Sequence, residues 1–227
     1  MPEKILIAAT PRSWGTMLQM HFRENIPDCL SLGQPYHGFI ADNSPMPFSD
    51  LISGIDAVSK FLASMQGIPF VGKIEPYHIY HPETRQFVPL EKFNLKMYSK
   101  IYVLDRLDQR KRLASLLWAQ ESNKWHYFKN DSNIEYQPMV ITRDEYQLLS
   151  YAEASSILDK FCHSLNLLGI DYERIYTENL DQWFKQNNFN ENFSLETRFS
   201  NLDYEKLILN LDELYFRYKT IYEAIKF

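Results

Sequence analysis

The chain has 227 residues, a length that suits one domain and allows two without requiring them. Apolar residues make up 45% and charged residues 23%, so an ordinary core can form. The net charge of −5 argues against a dedicated nucleic-acid binder, and it disfavours an acidic polymer as substrate unless a local basic pocket overrides it.

The first element is an apolar run, Ile5–Ala9, which reads as a buried strand. It is too short for a signal peptide, and no run of about 18 apolar residues follows to span a membrane, so the expected location is the cytoplasm. The run ends in the loop Thr10-Pro11-Arg12-Ser13-Trp14-Gly15-Thr16, and a helical pattern follows over Thr16–Asn25. Backbone N–H groups in such a loop can face an anion, and the helix N-terminus adds partial positive charge. Arg12 can fork two donors onto phosphate oxygens, Thr10, Ser13 and Thr16 supply hydroxyls, and Gly15 allows close backbone approach. A nucleoside-triphosphate loop would need a Gly-Lys-Ser/Thr run, and the chain has none. Taken alone, the segment fits either a phosphate cradle or an ordinary polar strand-to-helix turn.

Further along, Ser49–Gln66 carries apolar residues at helical spacing and Pro69–Ile74 reads as a second buried strand. Lys100–Leu104 is a third, followed by helix Asp108–Ser122. The aromatic stretch Lys124–Ile141 has no regular period. Asp144–Leu168 is a long amphipathic helix stopped by Gly169, and Glu173–Tyr176 is a fourth strand. Asp181–Phe227 turns from Asn-rich to helical and aromatic, which predicts a C-terminal helical extension packed on a single domain spanning 1–227. Cys29 and Cys162 belong to no Cys-x-x-Cys pair and read as reduced thiols.

Strands alternating with helices predict an α/β fold, a three-layer sandwich around a mostly parallel sheet. Ligands of such sheets bind at the carboxyl ends of the strands. That rule sends three separated segments to one edge, each with a cation: the Arg12 loop, Lys73 with Glu75-Pro-Tyr-His78, and Asp105-Arg106.

Thr10-Pro-Arg-Ser-Trp-Gly-Thr-Met-Leu18 resembles the 5′-phosphosulfate loop of sulfotransferases, whose common form reads Pro-Arg-Ser-Gly-Ser-Thr followed by leucines. Val103-Leu-Asp-Arg-Leu-Asp-Gln-Arg-Lys-Arg-Leu-Ala-Ser-Leu-Leu-Trp118 resembles that family's 3′-phosphate segment, a strand ending in Arg with a Ser nine residues on. Its continuation to Trp125-His126 resembles the bacterial trehalose sulfotransferase type. Phe70-Val-Gly-Lys-Ile74 is similar to that group's Phe-Gly-x-Lys strand, and the segment from Leu168 to Thr-Glu-Asn-Leu180 is similar to its late Tyr-Glu-Asp-Leu strand. The matches keep the family's order across residues 4 to 180.

The resemblance implies transfer of a sulfuryl group from 3′-phosphoadenosine 5′-phosphosulfate (PAPS) to an acceptor hydroxyl on a sugar or other small molecule, leaving 3′,5′-adenosine bisphosphate (PAP), with no metal. It implies a P-loop-like 5′-phosphosulfate-binding loop in which Arg12, Ser13, Trp14, Gly15 and Thr16 contact the donor, while Arg106 and Ser115 hold the 3′-phosphate. Arg12 and Lys73 would stabilise the leaving phosphate oxygen. Where the bacterial type carries a glutamate base in a Gly-x-Pro-x-Glu stretch, this chain has Gly33-Gln-Pro-Tyr-His-Gly38, which puts His37 in the base's place; Glu75, His78 and His126 are reserves. Relatives of that type suggest a homodimer.

Two departures bear on activity. Trp14 stands where the common loop has glycine, and the Gly-rich C-terminal basic motif of eukaryotic cytosolic sulfotransferases is missing, with Arg198 a substitute. A non-catalytic module of the same fold and a small-molecule kinase therefore remain as rival readings. The aromatic stretches Tyr77–Pro82 and Trp125–Tyr136 are candidate walls for the acceptor pocket.

Overall fold

The computed structural model describes residues 3–36, 47–81, 86–123, 137–187 and 204–225. Five strands form one sheet, each parallel to its neighbours: β1 (Lys4–Ala9), β2 (Leu30–Ser31), β3 (Phe70–Ile74), β6 (Lys100–Asp105) and β7 (Glu173–Tyr176). Two two-residue strands, β4 (Tyr80–His81) and β5 (Gln86–Phe87), pair antiparallel between β3 and β6 in sequence. The helices are α1 (Gly15–Asn25), α2 (Phe48–Ser64), α3 (Gln109–Ser122), α4 (Glu145–Leu167), α5 (Leu180–Gln186), α6 (Tyr204–Leu207) and α7 (Leu211–Ile225).

The four predicted strands all form, within a residue of their expected ends. β1 and β3 are buried along nearly their whole length, as central parallel strands are, and this is why their sequences run apolar without alternation. The two-residue strand β2 is exposed and had no apolar run to announce it.

The chain divides into two compact units, residues 1–105 with 157–177, and residues 106–156 with 178–227. In the first, the order β2-β3-β1-β6-β7 places β1 in the middle. Leu6 and Ala8 of β1, with Val103 of β6, point into a core shared with Leu51, Ile55 and Leu62 of α2 and Leu158, Phe161 and Leu165 of α4. The register pairs Ile7 with Tyr102, and the Tyr102 ring stacks on Phe22 of α1 at 5.2 Å, so α1 covers the opposite face. Helices thus lie on both faces of the sheet.

The second unit has its own apolar cluster. Leu113, Leu117 and Trp118 of α3 meet Leu148 and Ala152 of α4 and Leu211, Leu214 and Tyr218 of α7. In α7 the side chains of Leu211, Leu214, Tyr218 and Tyr222 are buried. No helix among the described residues is long and apolar enough to cross a membrane.

Candidate functional site

All five strands of the sheet run the same way, so the residues after β1, β3, β6 and β7 emerge on one edge. β1 leads through α1 to β2 on one side, whereas β6 leads to β7 on the other. Neighbouring strands whose connections diverge open a crevice at their carboxyl ends, which is where such sheets bind ligands. The loop Thr10–Trp14 leaves from that point.

The loop owes its shape to two left-handed residues, Arg12 at φ 65° and Trp14 at φ 67°, on either side of Ser13. For a side-chain-bearing residue this conformation costs about 1–2 kcal/mol. Contacts around Ser13 hold it in place. The Ser13 hydroxyl donates to the Thr10 carbonyl at 2.5 Å, and the Ser13 N–H approaches the same carbonyl at 3.3 Å. The Thr177 hydroxyl lies 3.0 Å from the Ser13 carbonyl and 3.0 Å from that of Asp105. Trp14 is the N-cap of α1 and takes the conformation that glycine adopts without strain. Gly15 opens the helix because nothing larger fits: an added Cβ would stand 2.8 Å from the Cβ of Ala9 and 3.0 Å from Cδ of Lys73.

Lys73 reaches this point from β3. Its Nζ lies 3.2 Å from the Thr16 hydroxyl and 3.1 Å from Oε1 of Glu75. Both charged side chains are about nine-tenths buried. Gln34 donates to the same Oε1 at 3.2 Å, and His78 Nε2 stands 3.9 Å from Oε2. Tyr77 is a further neighbour. Burial raises the pKa of its phenol, and the Glu75 carboxylate adds to that rise. Gln34 is brought in by a backbone splice: Gln19 of α1 donates to the carbonyls of Gly33 and Val71, and the Lys73 N–H donates to Gly33. A cation, a carboxylate, an imidazole and a phenol are therefore gathered beside the first turn of α1.

Arg106 is the first residue after β6. Its Nε lies 3.6 Å from Oε1 of Glu178, whose carboxylate also accepts the backbone N–H groups of Leu107 and Asp108 at 3.0 and 3.1 Å. Arg106 thus pairs with Glu178, and the adjacent Asp105 accepts from Arg174 at 2.6 Å, which also reaches Asp159 at 2.7 Å. Ser115 is buried in α3, one turn beyond Lys111, whose N–H the N-cap Asp108 accepts.

Arg12, Ser13, Trp14, Gly15, Thr16 and Lys73 thus cluster in the first unit, while Arg106 and Ser115 belong to the second. His37, His126 and Arg198 lie outside the described residues, as do Pro82 and the Trp125–Tyr136 stretch. Sequence reasoning gave Glu75 only a reserve role. Its signal was the position just past a strand that carries a buried lysine. It missed Thr177 and Gln34, small polar residues whose importance rests on long-range contacts. Among the described residues no group of three His, Cys, Asp or Glu could hold a metal ion.

Compared with models of known protein families and with characterised proteins, the chain matches none.

Proposed function

We propose that the chain is a sulfotransferase that moves a sulfuryl group from PAPS to the hydroxyl of a small molecule. The observation that carries this reading is the Lys73 ammonium brought to within 3.2 Å of the Thr16 hydroxyl at the mouth of the left-handed loop. An anion at that position would meet loop N–H groups, a helix N-terminus and a fixed cation. Thr10 adds support: its buried hydroxyl has no hydrogen-bond partner among the described residues. The sequence resemblance from residue 4 to residue 180 supplies the choice of phosphosulfate over other anions.

In this reading Arg12, Ser13, Gly15 and Thr16 hold the 5′-phosphosulfate, with Trp14 capping the helix beside it. Arg106 and Ser115 hold the 3′-phosphate. The bound donor supplies an electrophilic sulfur and a phosphate leaving group. As the acceptor oxygen bonds to sulfur and the bridging S–O bond breaks, the hydroxyl proton must pass to a base. His37 is the base that the resemblance implies. Glu75 is a second proton acceptor of suitable chemistry, because its Oε1 is engaged by Lys73 and Gln34 while Oε2 faces His78. Lys73 and Arg12 offset charge growing on the leaving oxygen. Donors fixed before reaction act more strongly there than solvent would.

The test is calorimetric titration with PAP in the absence of magnesium, beside ATP with magnesium. Saturable PAP binding that is lost in Arg106→Ala supports the reading. Binding of ATP alone would favour a kinase. Binding of neither nucleotide would leave a non-catalytic module.

A further inference from the structure

We infer that Thr177 is the positioning residue of the phosphate-binding loop: its hydroxyl sets the direction of the Trp14 N–H by holding the Ser13 carbonyl. The inference rests on the sulfotransferase reading of that loop. Thr177 follows β7, 164 residues beyond Ser13 in sequence, yet its Oγ1 is 3.0 Å from the Ser13 carbonyl oxygen. In a trans peptide the C=O and the following N–H point in opposite directions, and the chain has no cis bond among the described residues. A Ser13 carbonyl drawn toward Thr177 therefore turns the Trp14 N–H away from β7.

The need for such a contact follows from the strain. Arg12 and Trp14 both occupy left-handed conformations, and residues of this kind persist only where the surroundings over-determine them. Two contacts within the loop, from the Ser13 hydroxyl and N–H, end on Thr10, three residues back. They act on the N-terminal side of Ser13, ahead of the Ser13–Trp14 peptide. Thr177 supplies a restraint on that peptide from outside the loop.

The same hydroxyl is 3.0 Å from the carbonyl of Asp105, the last residue of β6. A hydroxyl has one proton, so the two carbonyls share one donor. This ties the end of β6 to the loop after β1 through a single atom. The role is positioning and not catalysis, since Thr177 acts through the peptide it holds.

The experiment compares wild type, Thr177→Ser and Thr177→Val by calorimetry with two probes, PAP and adenosine 3′-monophosphate, which lacks the 5′-phosphate. Thr177→Val keeps the shape and removes the donor. Expected is a loss of about tenfold in PAP affinity, one lost hydrogen bond's worth, with unchanged affinity for the 3′-monophosphate and wild-type behaviour in Thr177→Ser. A general loosening of the fold would weaken both probes alike, and that result overturns the inference, as does a Thr177→Val protein that binds PAP like wild type. Wild type that binds neither probe would bring down the sulfotransferase reading itself and this inference with it.

Discussion

At the residue scale the site turns on how few side chains do several tasks. Lys73 pairs with Glu75 in a nearly dry setting and still reaches Thr16. Removing one partner of a buried pair leaves the other charge uncompensated, which typically costs about 3–5 kcal/mol. Lys73→Ala is therefore expected to lose about 3 kcal/mol of stability in urea titration, while Lys73→Ala/Glu75→Gln recovers part of that loss. Arg12→Ala is expected to lower turnover by about 10²–10³-fold with the fold intact, the size found when one preorganised donor is taken from developing charge. Circular dichroism alongside a sulfuryl-transfer assay checks it, and retained activity would refute the loop's role. His37→Ala and Glu75→Gln separate the two base candidates: the true base loses about 10²–10⁴-fold in turnover with PAP affinity nearly unchanged.

At the scale of elements, the junction of β1 and α1 is tightly packed. Gly15 has Ala9 behind it, and an added methyl group would meet Ala9 Cβ at 2.8 Å. Gly15→Ala is expected to push α1 away from β1 and to destabilise by about 1–3 kcal/mol, the usual cost of overpacking, with PAP binding weakened as well. Chemical denaturation and calorimetry on one preparation check both effects. Much of this scale was legible in advance. β1, β3, β6 and β7 follow from short apolar runs, and α4 stops at Leu167, just before Gly169, a left-handed residue at φ 62°. β2 escaped because two exposed residues carry no period, and α5 because its seven residues fall below the length at which a pattern shows.

At the scale of the whole molecule, ligand and pH act through linkage. If the chain is the proposed sulfotransferase, PAP binding only the folded chain is expected to raise the denaturation free energy by about 2.7 kcal/mol at a hundred times Kd, read as an upward shift of Tm. pH acts through His21, a buried side chain on α1. Burial lowers its pKa from 6.5 to about 4. Above pH 6.5 both states are neutral and nothing is lost. As pH falls below 6.5 the unfolded chain takes up the proton first, so stability declines until the folded pKa is reached. The full loss is up to about 3 kcal/mol. Urea titrations at pH 7 and pH 4.5 are expected to differ by most of that amount, and His21→Phe should flatten the slope.

The sequence by itself determined the order of the four longer strands and of the helices between them, the parallel character of the sheet and the segments that emerge at its carboxyl edge. Those depend on local periodicity and on the rule that short βα units lay strands side by side. It also pointed to Arg12, Gly15 and Lys73, because strand ends are visible in the chain. Only the tertiary structure decided what each polar group touches. Glu178 takes the N–H groups at the start of α3, Gln34 is placed on Glu75 and Thr177 reaches Ser13. Hydrogen bonds are short-ranged and directional, so a contact between residues tens of positions apart leaves no spacing to read. It exists only once hydrophobic burial has stacked the layers and brought the strand ends within about 3 Å of one another's loops.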